Sequence, residues 1–234
     1  MSFRGLRYFL GQRRDVLASL RMFEGHRFCG VNAADAIQAQ RTGPARWDSP
    51  RIGWVITGGL PGVTSQLQRM IYALAWESWA GVPGCGLEVA ESPNGTATQL
   101  VLMGSGPIDG PGGVLAHSEL PQPRMRQLKQ KYGTHERWFA ALVDRHPAPS
   151  ELISLLAVAA HEIGHALGLP HSGDSTALMA PTYNPRIWSP QADDAREIVR
   201  RYPQQGPPTS PPGERVVTIR VEGLPPGYSA RLAA

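Results

Sequence analysis

HEIGHALGLPHS, residues 161–172, is the stretch from which the rest of the chain can be read. His161 and His165 stand four residues apart in a helical context, which puts both imidazoles on one face, close enough to grip a single metal ion. Glu162 lies beside them, a carboxylate able to accept a proton from a metal-held water without being a ligand itself. Gly168 stands where that helix should end, because glycine tolerates the left-handed backbone that turns a chain back. His171 can then return as a third ligand. Three neutral imidazoles leave the fourth tetrahedral position to water, whose pKa zinc lowers to about 7, and an open position marks a catalytic rather than a structural site. A single such histidine reads more simply as a hydrogen-bonded core residue. Three at this spacing, with Glu162 and Gly168 in place, favour zinc-assisted hydrolysis.

Upstream of the motif, Pro149 and Ser150 give a helix start with Glu151 in its first turn. Leu152, Ile153, Leu155, Leu156, Val158 and Ile163 wrap nearly all round the cylinder, so a buried helix is expected over 150–168. Earlier, Ile52, Trp54 and Ile56 alternate as on a half-buried strand, and GGLPG follows as a turn. Residues 64–80 carry Leu67, Met70, Ile71, Leu74 and Ala75 on one helical face, ended by Gly81 and Pro83. Leu87 to Ala90 and Gln99 to Met103 read as short strands around the turn SPNG, 109–113 as a loop, and Val114 to His117 as another strand. Residues 121–149 give weak local signals. Downstream, a last helix runs from about Ser189 through Tyr202, with Asp193 and Asp194 near its positive end and Arg200 and Arg201 near its negative end.

The flanks differ in character. Leu6, Phe9, Leu10, Leu17 and Leu20 predict an amphipathic helix over 3–23, and Arg4, Arg7, Arg13, Arg14 and Arg21 read as its solvated face in preference to a phosphate or lipid patch. PQQGPPTSPPG, residues 203–213, is a proline-rich linker, and ERVVTIRVEG beyond it carries one or two strand signals in a tail too short to fold as a domain. With 234 residues, 41% of them hydrophobic, the chain is long enough for one main domain plus appendages. A net charge of +4 is too small an excess to argue for nucleic acid, and no apolar run is long enough for a membrane span. Two cysteines, Cys29 and Cys85, allow one disulfide at most. The basic N-terminus, interrupted by Arg, Gly and Gln, shows no export signal.

The residues 161–172 carry the HExxHxxGxxH pattern of metzincins, and the chain resembles their matrixin branch, which includes the matrix metalloproteinases. The resemblance runs from about Trp47 to Tyr202 and holds in order as well as motif, through RIGWVI, LAWESWAGV, DGPGGVLAHSELP, the zinc helix and ALMAPTY. It implies an α+β zincin (metzincin) fold: a twisted mixed sheet of about five strands, three main helices and one catalytic zinc in the cleft. It implies a zinc metalloendopeptidase acting on extended polypeptides, with a non-catalytic zinc-containing peptide-binding module as the alternative. Met179 would form the tight turn beneath the zinc, Pro181 to Tyr183 would line the specificity-pocket wall, and Val114, Leu115 and Ala116 would be the sheet edge to which a substrate strand adds. The implied organisation is a propeptide-like segment over 1–45, a catalytic domain over 46–203, a linker over 204–213 and a β tail over 214–234. A monomer is expected, with no nucleic-acid partner and no membrane span, working outside cells by the same resemblance.

The chain also departs from the family. Animal matrixins hold a structural zinc through three histidines and an aspartate; here His117 remains while Leu102, Gly104 and Lys131 stand at the other places, so no second zinc is expected. Of the family's calcium ligands Asp109 and Glu136 match and Gly133 replaces an aspartate, which should weaken calcium binding. FCGVN, residues 28–32, resembles a worn cysteine switch in which Cys29 would fill the open zinc position; a buried thiol or a disulfide to Cys85 are the other readings.

Overall fold

The computed structural model describes residues 45–111, 113–141 and 152–205, with the two-residue strands 217–218 and 231–232. The helix expected over 3–23, its arginines, Cys29, the helix start at Pro149 to Glu151 and most of the tail lie outside these residues. One five-stranded mixed sheet organises the fold, in the order β2-β1-β3-β5-β4. Its members are β1 (Arg51–Ile56), β2 (Glu88–Glu91), β3 (Leu100–Gly106), β4 (Ala116–Ser118) and β5 (Gln127–Gly133). The pairs β1–β2, β1–β3 and β3–β5 are parallel, and β4 alone runs antiparallel, on the outer edge of β5. Two small strands, β6 (Trp138–Phe139) and β7 (Ile153–Ser154), pair in parallel; β8 (Val217–Thr218) and β9 (Arg231–Leu232) pair antiparallel in the tail. The expected α+β architecture, a mixed five-stranded sheet with three helices among the described residues, is what forms.

Helix α1 (Ser65–Ala80) begins where Thr64 caps it, its side chain accepting from the Leu67 amide. Its buried side includes Ile71, Tyr72, Leu74, Ala75, Trp76 and Trp79, each large ring contributing on the order of 2–3 kcal/mol by burial. Trp79 Nε1 donates to Ala160 O at 2.8 Å, which pins α1 to α2 (Leu155–Ala166), and Trp47 Nε1 donates to Ala166 O, also at 2.8 Å, from the other end of α2. All twelve residues of α2 are buried, as the all-round apolar pattern predicted. Its start differs from the expectation, since Ile153 and Ser154 belong to β7 and Ser154 is the cap, accepting from the Ala157 amide. Helix α3 (Ala192–Arg201) carries Asp193 and Asp194 in its first turn and Arg200 and Arg201 in its last. No helix among the described residues is long and apolar enough to cross a membrane.

Strand β5 was not visible in the sequence. Leu128, Gln130 and Tyr132 point inward and are buried while Gln127 and Lys129 are exposed, so the alternation is present but two of its three inward residues are polar. Strand β4 begins at Ala116 and not at Val114, because the Val114 amide is taken by the Asp109 carboxylate at 2.9 Å.

Candidate metal centre

A buried helix of Leu, Ala and Val positions the first two histidines. His161 and His165 are fully buried one turn apart on α2, their ring centroids 4.8 Å from each other. Leu167 and Gly168 close the helix with paired bonds, Leu169 N to Gly164 O at 2.9 Å and Gly168 N to His165 O at 2.8 Å. Gly168 has φ +94°, the left-handed turn read from the sequence. The chain returns at once, and His171 lies with its ring 4.8 Å from His165 and 5.4 Å from His161. Ser172 fixes this return: its amide donates to Met179 O at 2.8 Å and its hydroxyl to Asp193 on α3 at 2.6 Å.

Two of the rings are held by backbone carbonyls. His161 Nδ1 donates to Leu178 O and His165 Nδ1 to Leu169 O, each at 2.8 Å. A carbonyl can only accept, so both protons sit on Nδ1 and both Nε2 atoms keep their lone pairs. The Nε2 atoms of His165 and His171 are buried without a hydrogen-bond partner among the described residues. One ligand atom from each of the three rings lies within 4.8 Å of the others, against roughly 3.3 Å for two nitrogens on one tetrahedral zinc. A buried, unprotonated, convergent set of this kind fits a zinc ion after a small inward adjustment of the rings.

Burial pushes His161 well below its ordinary range, with the neighbouring His165 adding to the effect against the Leu178 hydrogen bond. His165 is pushed down to about 3 by burial and then by His171, opposed by its bond to Leu169. His171 is lowered by burial. All three are therefore neutral and ready to ligate at physiological pH. An unfolded histidine titrates near 6.5, so between about pH 6.5 and 3 the unfolded chain binds more protons than the folded one. The denaturant midpoint of the metal-free protein is accordingly expected to be insensitive to these groups above about pH 6.5 and to fall steadily below it. A midpoint that rose on acidification across that window would contradict the neutral, buried assignment.

Met179 is buried beneath α2. Gly164 makes the approach possible, since a Cβ there would collide with Met179 Sδ and lie 2.8 Å from Trp79 Cζ2. The turn is tied down by Asp194, which the sequence presented only as an acid near a helix start. Its carboxylate accepts from the amides of Leu178 at 2.7 Å, Met179 at 3.0 Å and Gln191 at 2.8 Å. Burial raises its pKa, with these three amides acting in the opposite direction. The Leu178–Met179 peptide thus donates to Asp194 and accepts from His161, a link no motif in the sequence announced.

Glu162 is fully buried on α2 beside His161. Leu115 and Ala116 are buried and Val114 half-buried on the approach to the edge strand. Pro181 is exposed, and Tyr183 is buried with its hydroxyl accepting from the Ser154 amide at 2.7 Å, next to the start of α2. His117 faces Lys131 across β4–β5, and Gly104 pairs with the same lysine from β3. Burial and then Lys131 lower the His117 pKa. Asp109 accepts from the Gly110 and Val114 amides and so orders its own loop, while Glu136 is buried against Gly133.

Comparison with known proteins agrees with this geometry. The matrixin family profile matches residues 46–203. Stromelysin-3 of Xenopus laevis is 34% identical over 183 residues, 76% of this chain and 36% of that protein. Matrix metalloproteinase-C of Caenorhabditis elegans is 32% identical over 162 residues, 66% of this chain and 27% of that protein. Interstitial collagenase of Aquarana catesbeiana is 46% identical over 77 residues, 33% of this chain and 18% of that protein. The matched part spans no more than about a third of the length of these curated relatives. On the strength of this profile match, the chain belongs to the matrixin family of zinc metalloendopeptidases.

Proposed function

We propose that this chain is a zinc metalloendopeptidase that hydrolyses peptide bonds of extended polypeptides, with Glu162 as general base and residues 46–203 as the catalytic unit. The observation carrying this reading is the convergence of three ring nitrogens, from His161, His165 and His171, on a helix and turn in which the buried Glu162 directly follows His161. His161, His165 and His171 would hold a zinc ion, which would supply Lewis-acid chemistry toward a carbonyl and a bound water. The three imidazoles are held neutral by burial, the form in which they would ligate the ion. Glu162 accepts the proton of the attacking water and then delivers it to the nitrogen of the departing amine, acting as base and afterwards as acid. The hydroxyl oxygen of that water ends in the new carboxylate, and the C–N bond is the one broken.

Strand β4 is the outer edge of the sheet, which supports addition of a substrate in extended form as a further strand. Val114, Leu115 and Ala116 would flank that strand, and Pro181 and Tyr183 the pocket for the residue after the scissile bond. With Gly133 offering no carboxylate, Asp109 and Glu136 give a calcium ion two acidic side chains and a correspondingly weakened affinity. Matrixin homologues are generally extracellular, and the same setting is proposed for this chain.

The test is incubation of the zinc-loaded full chain with a mixed peptide library, with and without a chelator, followed by mass spectrometry of the new termini. New termini are expected that vanish on chelation and return with added zinc. A zinc-loaded protein that yields none, or cleavage indifferent to the chelator, would rule the reading out.

A further inference from the structure

Gln130 is a polar residue at the centre of an inward-facing row, with Leu128 and Tyr132 as its neighbours on β5, and it is 2% exposed. A buried amide is unfavourable unless its hydrogen-bonding capacity is met, and a leucine would fill this position without that demand. Here it is met on both sides. Gln130 Nε2 donates to the backbone carbonyl of Glu162 at 2.7 Å and to Ser118 Oγ at 3.3 Å, while its Oε1 accepts from the Tyr132 hydroxyl at 3.0 Å. The Glu162 carbonyl can only accept, so it fixes which end of the amide faces α2. Tyr132 is itself held by Tyr72 of α1, ring centroids 5.2 Å apart, and Tyr72 accepts from Gln68.

The two donations reach the two halves of the proposed reaction. Ser118 lies on β4, the edge strand opposite Gln130 in the register, and Glu162 is the buried residue that follows His161 on the metal helix. From this we propose that Gln130 is a positioning residue that sets the spacing between the substrate-bearing edge strand and the Glu162 segment of the metal helix. The proposal rests on the peptidase reading. It predicts that losing the brace disturbs ligands that span strand and metal while sparing those that touch the metal alone, because misplacement of about an ångström is enough to lower a well-oriented rate strongly.

Two variants test it, Gln130→Met, which keeps length and removes all three bonds, and Tyr132→Phe, which removes only the hydroxyl that orients the amide. Zinc-loaded full chains are titrated calorimetrically with acetohydroxamate, a metal-only probe, and with an extended tetrapeptide ending in a hydroxamate, which bridges metal and edge strand. The expected result is an affinity for the bridging probe lower by about tenfold in Gln130→Met and about threefold in Tyr132→Phe. Acetohydroxamate affinity and zinc content should stay at the wild-type level, and kcat/KM on a cleaved peptide should fall. Equal losses for both probes would show damage to the metal site itself and overturn the proposal, as would unchanged affinity for the bridging probe. If Gln130→Met fails to fold, Tyr132→Phe carries the same split. A wild type that binds both hydroxamates yet cleaves nothing would sink the peptidase reading and leave the brace to be judged on binding.

Discussion

Glu162→Gln is expected to lower kcat on a peptide substrate by roughly 10²–10⁴-fold while leaving one zinc per chain. Glutamine preserves size and the helix, and the three imidazoles that would hold the ion come from other positions. What it removes is a group that can accept a proton. A fully buried carboxylate is also costly to keep, so the neutral amide should leave the denaturant midpoint unchanged or raise it. Steady-state kinetics paired with metal analysis and urea unfolding separates these quantities. Cleavage by the variant at the native rate would remove Glu162 from the chemistry.

Gly168→Ala should be the most disruptive small substitution near the site, costing about 2–5 kcal/mol. Two effects add. The left-handed backbone at φ +94° costs an L-residue about 1–2 kcal/mol, and overpacking costs about 1–3 kcal/mol more. The collision is with the backbone carbonyl oxygen of Ala45, which cannot swing aside as a flexible side chain would. Because Gly168 sits between His165 and His171, relief of the clash should also spread the histidine set and weaken zinc binding. Urea unfolding of the apoprotein measures the first effect and competition with a chelating dye the second. A midpoint and a zinc affinity both equal to wild type would show that the turn tolerates a side chain.

The metal helix and its turn were legible because each of their residues announces a physical requirement. Histidines four apart define a face, Gly168 marks a positive φ, and the apolar run from Leu152 to Ile163 has no polar side for solvent. Helix α1 and strands β1 to β3 were legible for similar reasons of period and punctuation. Strand β5 was hidden because Gln130 and Tyr132 occupy inward positions, and a pattern read by hydrophobicity scores them as polar. The helix start was placed too early because Ile153 and Ser154 suit either element; their pairing with Trp138 and Phe139 depends on a contact distant in sequence. The same non-locality concealed Asp194, whose carboxylate reads as a complement to a helix dipole until the Met179 turn is brought beside it. The three clustered histidines were local and visible, whereas the supports around them were contacts between segments.

Two of the six tryptophans grip the metal helix from outside, Trp79 through Ala160 O near its middle and Trp47 through Ala166 O at its end. Both indoles are almost wholly shielded from water. Trp54, Trp76 and Trp138 are buried as well, so the part of an emission red shift that is lost in Trp47→Phe and Trp79→Phe is the internal gauge of this helix, readable before any substrate is added.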